Sequence, residues 1–244
     1  MKQLRILWMY HDLMDLYGDK GNLQVLKIRA QKRGIDCLVD TCTLNEKKDI
    51  PSYDLFFLGG GADREQELIY KDLLHRRDAI QQAMDQNTAF LLICGGYQLF
   101  GKSYRDQDGR EIPGLHFFDY ETVSSDRQHR CIGNIAIEAS MDGHVFKAVG
   151  FENHGGQTQN VASAFGKVLS GHGNTFDGGY EGFITNTVLA TYMHGPLLPK
   201  NPIIADLIIQ RALNKRYGAA QLEPLDDLLE NKAREIMLQR LHAE

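Results

Sequence analysis

Several kinds of chemistry are missing from this 244-residue sequence. No apolar run approaches the roughly 18 residues of a spanning helix, so no membrane span is expected. The opening stretch MKQLRILWMYHD has neither an extended apolar core nor a small-residue cleavage site. No signal peptide is read there, and a cytoplasmic location is expected. The four cysteines, Cys37, Cys42, Cys94 and Cys131, form no CxxC pair, which argues for reduced thiols over a disulfide frame. Nine histidines are scattered without HExxH or Cys/His ligand spacing, so neither a protein metal site nor a cofactor is expected. YGDKGN (17–22) is not a GxxxxGKS or GxxxxGKT loop and no such loop occurs elsewhere. If the reaction needs ATP, another polypeptide is expected to bind it. With 27 basic and 32 acidic residues, a formal net charge of −5, the chain carries no basic stripe and does not read as a nucleic-acid binder.

What is present is ordinary globular composition, 43% hydrophobic and 24% charged, in a length that suits one α/β domain over residues 1–244. The first half alternates strand and helix signals. Apolar runs at 4–10, 35–43, 53–61 and 89–93 read as strands. Leu23, Leu26 and Ala30 give a helix that Gly34 terminates. Residues 64–86, with an apolar stripe at Leu68, Ile69, Leu73, Ile80 and Met84, read as one surface helix. This alternation predicts a parallel sheet with helices on both faces. Residues 111–192 read as short strands and turns, and helix returns after Pro199 and Pro202. A C-terminal amphipathic helix over 223–242 carries Leu225, Leu228, Leu229, Ile236, Met237 and Leu241, and is expected to cover the protein's own core, the alternative being a helix that docks a partner.

The chemistry concentrates where AFLLI (89–93) stops at Cys94 and is followed by Gly95 and Gly96. A strand turning at once into a helix lifts the intervening side chain out of the backbone, and small neighbours give the room. The helix start also favours a thiolate. The alternative is a buried, inert cysteine. An activated thiol needs a base, and His154 in FENHGG and His194 in TYMHGP are the candidates. His194 follows a strand-like run, as a histidine set on a strand-end loop would. FLGGGADREQ (57–66) places three glycines after a strand, where backbone N–H groups can serve an oxyanion or a phosphate.

Together, Cys-Gly-Gly-Tyr-Gln-Leu-x-Gly (94–101) and Met-His-Gly-Pro (193–196), with YGDKGN, GGGADREQ and GFENHGGQT in order, resemble class I glutamine amidotransferases of the cobyric-acid-synthase-like branch. The resemblance is strongest to the glutaminase subunits of lipid II isoglutaminyl synthases. It implies the parallel-sheet fold of that class and hydrolysis of L-glutamine to glutamate and ammonia. It also implies a partner, a MurT-like ATP-dependent Mur ligase subunit that amidates the D-glutamate of the peptidoglycan precursor. Carried over, Cys94 matches the nucleophile and His194 its general acid/base. The N–H of Gly95, with that of Gly60 or Gly61, matches the oxyanion hole. Gln98 sits near the substrate side chain, and Arg130, or Arg127 three residues earlier, matches the ligand of the substrate carboxylate.

Two positions depart from the class pattern. Leu92 stands where a glycine is common, and Pro196 stands where the triad acid follows the histidine by two residues. A proline cannot orient an imidazole, so a Cys–His dyad is expected, with a carboxylate from the partner completing it and weak activity from the isolated subunit. Asp19 reads as a helix-capping group or as lining the site on the partner's side. Three other readings remain: a glutaminase for a different, cobyrinate-type acceptor; a γ-glutamyl hydrolase; and a non-enzymatic reactive-cysteine protein, which would need Cys94 without His194.

Overall fold

The computed structural model describes residues 2–106 and 109–244, except for the side chain of Arg127. The frame is a six-stranded sheet. β1 (Gln3–Met9), β2 (Asp36–Cys42), β3 (Leu55–Leu58) and β4 (Ala89–Ile93) run parallel in the order β2-β1-β3-β4. Val188–Thr191 adds a fifth parallel strand beside β4, and Phe183–Ile184 an antiparallel edge. Every residue of β3 (LFFL) and β4 (AFLLI) is buried, as unbroken apolar strands must be when both faces are covered. Because the strands run the same way, their carboxyl ends deliver the segments after β1, β3, β4 and Val188–Thr191 to one edge, where sites of open α/β sheets form.

Helices α1 (Lys20–Gln31), α2 (Asp63–His75), α3 (Arg77–Asp85) and the short α4 (Gly95–Phe100) connect these strands. The stretch read as one helix over 64–86 is two. It breaks at Arg76, whose backbone (φ −96°, ψ 1°) leaves the helical region and whose guanidinium is held by Asp72 at 2.7 Å. The break re-aims the second half, so that Ile80 and Ala83 are buried.

The middle of the chain folds into two four-stranded sheets. One orders Gly156–Gln159, Glu121–Ser124, Ser103–Arg105 and Glu111–Pro113; the other orders Tyr180–Glu181, Gly166–Ser170, Cys131–Met141 and His144–His154. The hairpin between the two longest strands turns at Asp142 (φ 50°) and Gly143 (φ 80°), the left-handed pair that an Asp-Gly loop accommodates. Asn201 anchors this hairpin to the core. Fully buried, it accepts from Val149 N at 2.9 Å and donates to Val149 O at 2.8 Å. Pro202 then opens a helix to Tyr217 that buries Ile204, Leu207, Ile208, Ile209 and Leu213.

The C-terminal helix runs Leu228–Arg240, shorter than 223–242, and it does not bury the stripe expected of it. Leu228 and Leu229 are 71% and 77% exposed. Its seam is Leu238 against Ala136, Val149 and Ala243, with Met237 and Leu241 of that stripe packed, partly buried, against it. Ion pairs at its start hold it as well, Arg29 bridging Asp206 and Asp227 at 2.6 Å each. Ile208→Ala should therefore cost about 2–5 kcal/mol of unfolding free energy. Leu229→Ser should change it by less than about 0.5 kcal/mol. Urea denaturation of the two variants checks the contrast.

Candidate active site

Cys94 sits at the turn from β4 into α4 with φ 50° and ψ −102°, a conformation that costs a non-glycine residue about 1–3 kcal/mol and persists only when its surroundings hold it. Its N–H donates to Thr191 O at 2.9 Å, and its carbonyl accepts from Gln98 N at 2.9 Å. A Cβ on Gly96 would lie 2.6 Å from Leu58 O, so only glycine lets the chain fold back here. All four cysteines are free and buried. Burial pushes the Cys37 and Cys131 thiols up to about 11, which suits inert core residues.

His194 is fully buried at the end of the neighbouring strand. Its Nδ1 lies 3.3 Å from Asp19 Oδ1, and its Nε2 has no hydrogen-bond partner among the described residues. A Cβ on Gly60 would fall 2.9 Å from His194 Cε1, 3.3 Å from Asp19 Oδ2 and 3.4 Å from Cys94 Cβ. Imidazole, carboxylate and thiol-bearing carbon thus converge on one glycine. Burial disfavours a charged imidazole, but the Cys94 thiolate first, and then Asp19, more than offset it, and His194 is pushed up to about 10. The edge of the Tyr17 ring covers the imidazole, 5.2 Å between centroids. Tyr17 is itself left-handed, with φ 54°.

Asp19 is not placed as the sequence suggests. It occupies the N-cap position of α1, but its side chain makes no capping bond. Asp15 Oδ1 accepts from Lys20 N instead, at 2.7 Å. Asp19 is fully buried, which removes it from any face a partner could touch. Its Oδ2 accepts from Gly60 N at 2.8 Å. That bond corrects one expectation: the Gly60 N–H is engaged and does not point at an oxyanion. Gly61 N–H and Gly95 N–H have no partner among the described residues, and Gly95 opens α4, where the first N–H groups lack intrahelical acceptors.

A cavity of about 400 Å³ opens over the thiol, lined by Cys94, Gly61, Asp63, Gln66, Gln98 and Arg130 among others. Arg130 donates to Asn153 Oδ1 at 3.0 Å; the Arg127 side chain lies outside the described residues. Gln98 lines the cavity, but both ends of its amide are occupied. Its Oε1 accepts from Gln66 Nε2 at 3.0 Å, and its Nε2 donates to Tyr192 Oη at 3.2 Å. Gln98 therefore positions Gln66, whose buried Oε1 is left without a partner. Asp63, which accepts from Tyr104 Oη at 3.1 Å, is the one carboxylate of the lining among the described residues. Reading along the chain missed Gln66 and Asp63, although both lie inside the quoted GGGADREQ.

His154 also borders the cavity, in a structural setting. Its Nδ1 donates to Gly156 O at 2.7 Å, and its ring stacks on Tyr192 with centroids 3.8 Å apart. Burial holds it below the ordinary histidine range, against the opposing effects of Glu152 and the Gly156 carbonyl. Behind it lie two buried carboxyls. Glu152 accepts from His172 N and Gly173 N, each at 2.8 Å. Glu181 accepts from Tyr192 N at 2.7 Å and Thr191 Oγ1 at 2.9 Å. Burial pushes Glu181 up to about 8, against the lowering effect of those two bonds.

Residues 5–202 match the CobB/CobQ-like glutamine amidotransferase domain. The chain is 37% identical over 242 residues to the lipid II isoglutaminyl synthase (glutamine-hydrolyzing) subunit GatD of Staphylococcus aureus (strain N315), covering 98% of this chain and 97% of that one. It is 36% identical over 236 residues to the subunit of the same name from Streptococcus pneumoniae (strain ATCC BAA-255 / R6), covering 96% and 90%. A crystal structure of a glutamine amidotransferase superposes with a TM-score of 0.53 at 13% identity, covering 84% of this chain and 98% of that chain. That last likeness concerns the fold alone.

The Glu181 setting carries a pH signature. Its folded value of about 8 lies above the unfolded 4.5, so its contribution to stability is complete below pH 4.5 and is lost as pH rises through 8. Glu181→Gln should flatten the decline in unfolding free energy between those limits. Denaturant titrations across that range measure it.

Proposed function

Because the chain belongs to the CobB/CobQ-like glutamine amidotransferase family, we propose that it is a cytoplasmic glutaminase subunit. It hydrolyses L-glutamine and delivers ammonia to a MurT-like, ATP-dependent Mur ligase partner, which amidates the D-glutamate of lipid II. The acceptor and the existence of a partner are supported by likeness to the two GatD subunits along nearly their whole lengths. The observation that carries the chemistry is the approach of Cys94 and the buried His194 to Gly60, with Cys94 itself lining a cavity of about 400 Å³.

Glutamine is a zwitterion with a primary amide, and the cavity offers a matching set of groups. Arg130 pairs with the α-carboxylate and Asp63 with the α-ammonium. The unpartnered Gln66 Oε1 accepts from the amide NH2, which removes a buried orphan acceptor. The Cys94 thiolate attacks the amide carbon while His194 holds the proton on Nε2. The N–H groups of Gly61 and Gly95 stabilise the oxyanion. His194 then returns the proton to the leaving nitrogen, ammonia departs and a thioester remains. Water, deprotonated by His194, adds to the thioester; glutamate leaves and the thiol is restored.

Glutamate release from L-glutamine, with and without the partner subunit, tests the reading. Cys94→Ala and His194→Ala should each lower turnover by more than about 10³-fold, and Arg130→Ala should mainly raise KM. Turnover that needs Cys94 but survives His194→Ala would place the protein among reactive-cysteine proteins instead.

A further inference from the structure

We propose that His154 and Glu152 form a binding site for an ammonium ion, set in the wall beside the centre where ammonia is released. The site stands on geometry, and ammonium as its natural occupant rests on the glutaminase reading.

Hydrogen-bond polarity defines the site. His154 Nδ1 lies 2.7 Å from Gly156 O. A carbonyl only accepts, so Nδ1 carries the proton and Nε2 of the neutral ring presents a lone pair. That nitrogen is buried and has no hydrogen-bond partner among the described residues. It faces Glu152 Oε2 at 3.9 Å, and the two side chains are 1% and 0% exposed. Two acceptors are thus turned toward each other, an arrangement that calls for a donor shared between them. One small donor suffices, since a single atom can lie about 2.9 Å from both. His154 also borders the cavity over Cys94, so the site adjoins the space into which the leaving nitrogen departs.

Charge selects the donor. Glu152 accepts from His172 N and Gly173 N at 2.8 Å each, but no cationic side chain offsets it. Its one ion-pair contact among the described residues is His154, which burial holds below the ordinary histidine range. Glu152 is also among the groups that raise Glu181, whose buried Oε2 is likewise unpartnered. A buried carboxylate needs a counter-charge, and water brings none. Ammonium brings the charge, N–H donors in every direction and about the size of a water molecule. Potassium brings the charge but cannot donate to an imidazole lone pair. A transition metal needs more ligands, and no group of three His, Cys, Asp or Glu side chains among the described residues could hold one.

The test is an ion titration of the full-length chain, labelled with nitrogen-15 in its histidine rings, at constant pH and ionic strength. Ammonium chloride should displace the His154 Nε2 resonance saturably. Its half-saturation should lie about tenfold below that of potassium chloride, the worth of one charge-assisted hydrogen bond. Glu152→Gln should abolish the response, because the new amide donates to Nε2 directly and removes the charge. His154→Phe, which keeps a ring against Tyr192, identifies the resonance by its loss. Should Glu152→Gln fail to fold, the comparison of the two salts on the wild-type chain still decides. Equal responses to ammonium and potassium would overturn the proposal, as would no saturable response to either. So would nitrogen shifts showing both His154 nitrogens protonated, which would pair the ring with Glu152 directly. Glutamate release tests the glutaminase reading separately. A chain that binds ammonium but releases no glutamate keeps the site and loses its internal source of the ion.

Discussion

A buried imidazole has no water to stabilise charge on it, and His194 is completely buried. Whatever carries a proton through this site must therefore have its counter-charges built in. The surrounding arrangement follows from that constraint. Asp19 comes from the end of β1's loop, Cys94 from the end of β4 and His194 from the end of the adjacent parallel strand. Only strands running in one direction bring those three ends to one edge. The sheet's parallel order is thus the means by which residues 175 positions apart share a hydrogen bond.

The second constraint is space. The glycine loop after β3 is packed against the loop after β1 so closely that a side chain on Gly59 or Gly61 would run into Met14. One on Gly60 would strike the imidazole itself. Such packing converts a flexible glycine triplet into a fixed set of donors. The clamp from Asp19 to Gly60 N–H then decides which donor is engaged and which remain available. A single carboxylate links the proton-transfer side of the site to the side where negative charge would develop.

Much of this was legible along the chain, for reasons that differ by element. The strand at 89–93 matches β4 residue for residue, because five apolar residues ending at Cys-Gly-Gly leave little freedom. The corner at Cys94 was readable because its glycines answer a local backbone demand. The contact of Asp19 with His194 was not readable, since the two lie 175 positions apart and meet only through the fold. YGDKGN showed a turn and a helix start, and both are there; only tertiary packing turns the carboxylate away from the helix it precedes. The C-terminal helix was legible in part. Its stripe is amphipathic in pattern, but ion pairs from Arg29 to Asp206 and Asp227 dock its start, and only Leu238 is buried along it.

Two carboxyls, Glu152 and Glu181, are fully buried behind His154, and each must be compensated where it sits. Ionised together without compensation, Glu152 and Glu181 would repel each other within a buried wall. The fold avoids this group by group. Asp19 faces the imidazole, and Glu152 is held by two backbone N–H groups at 2.8 Å. Glu181, left with burial and its neighbour Glu152 against two hydrogen bonds, is pushed up to about 8 and stays largely neutral below that pH. His154 is held below the ordinary range and adds no positive charge that would compete with His194. Ionising Glu181 would therefore work against both burial and Glu152, with the bonds from Tyr192 N and Thr191 Oγ1 as its main support.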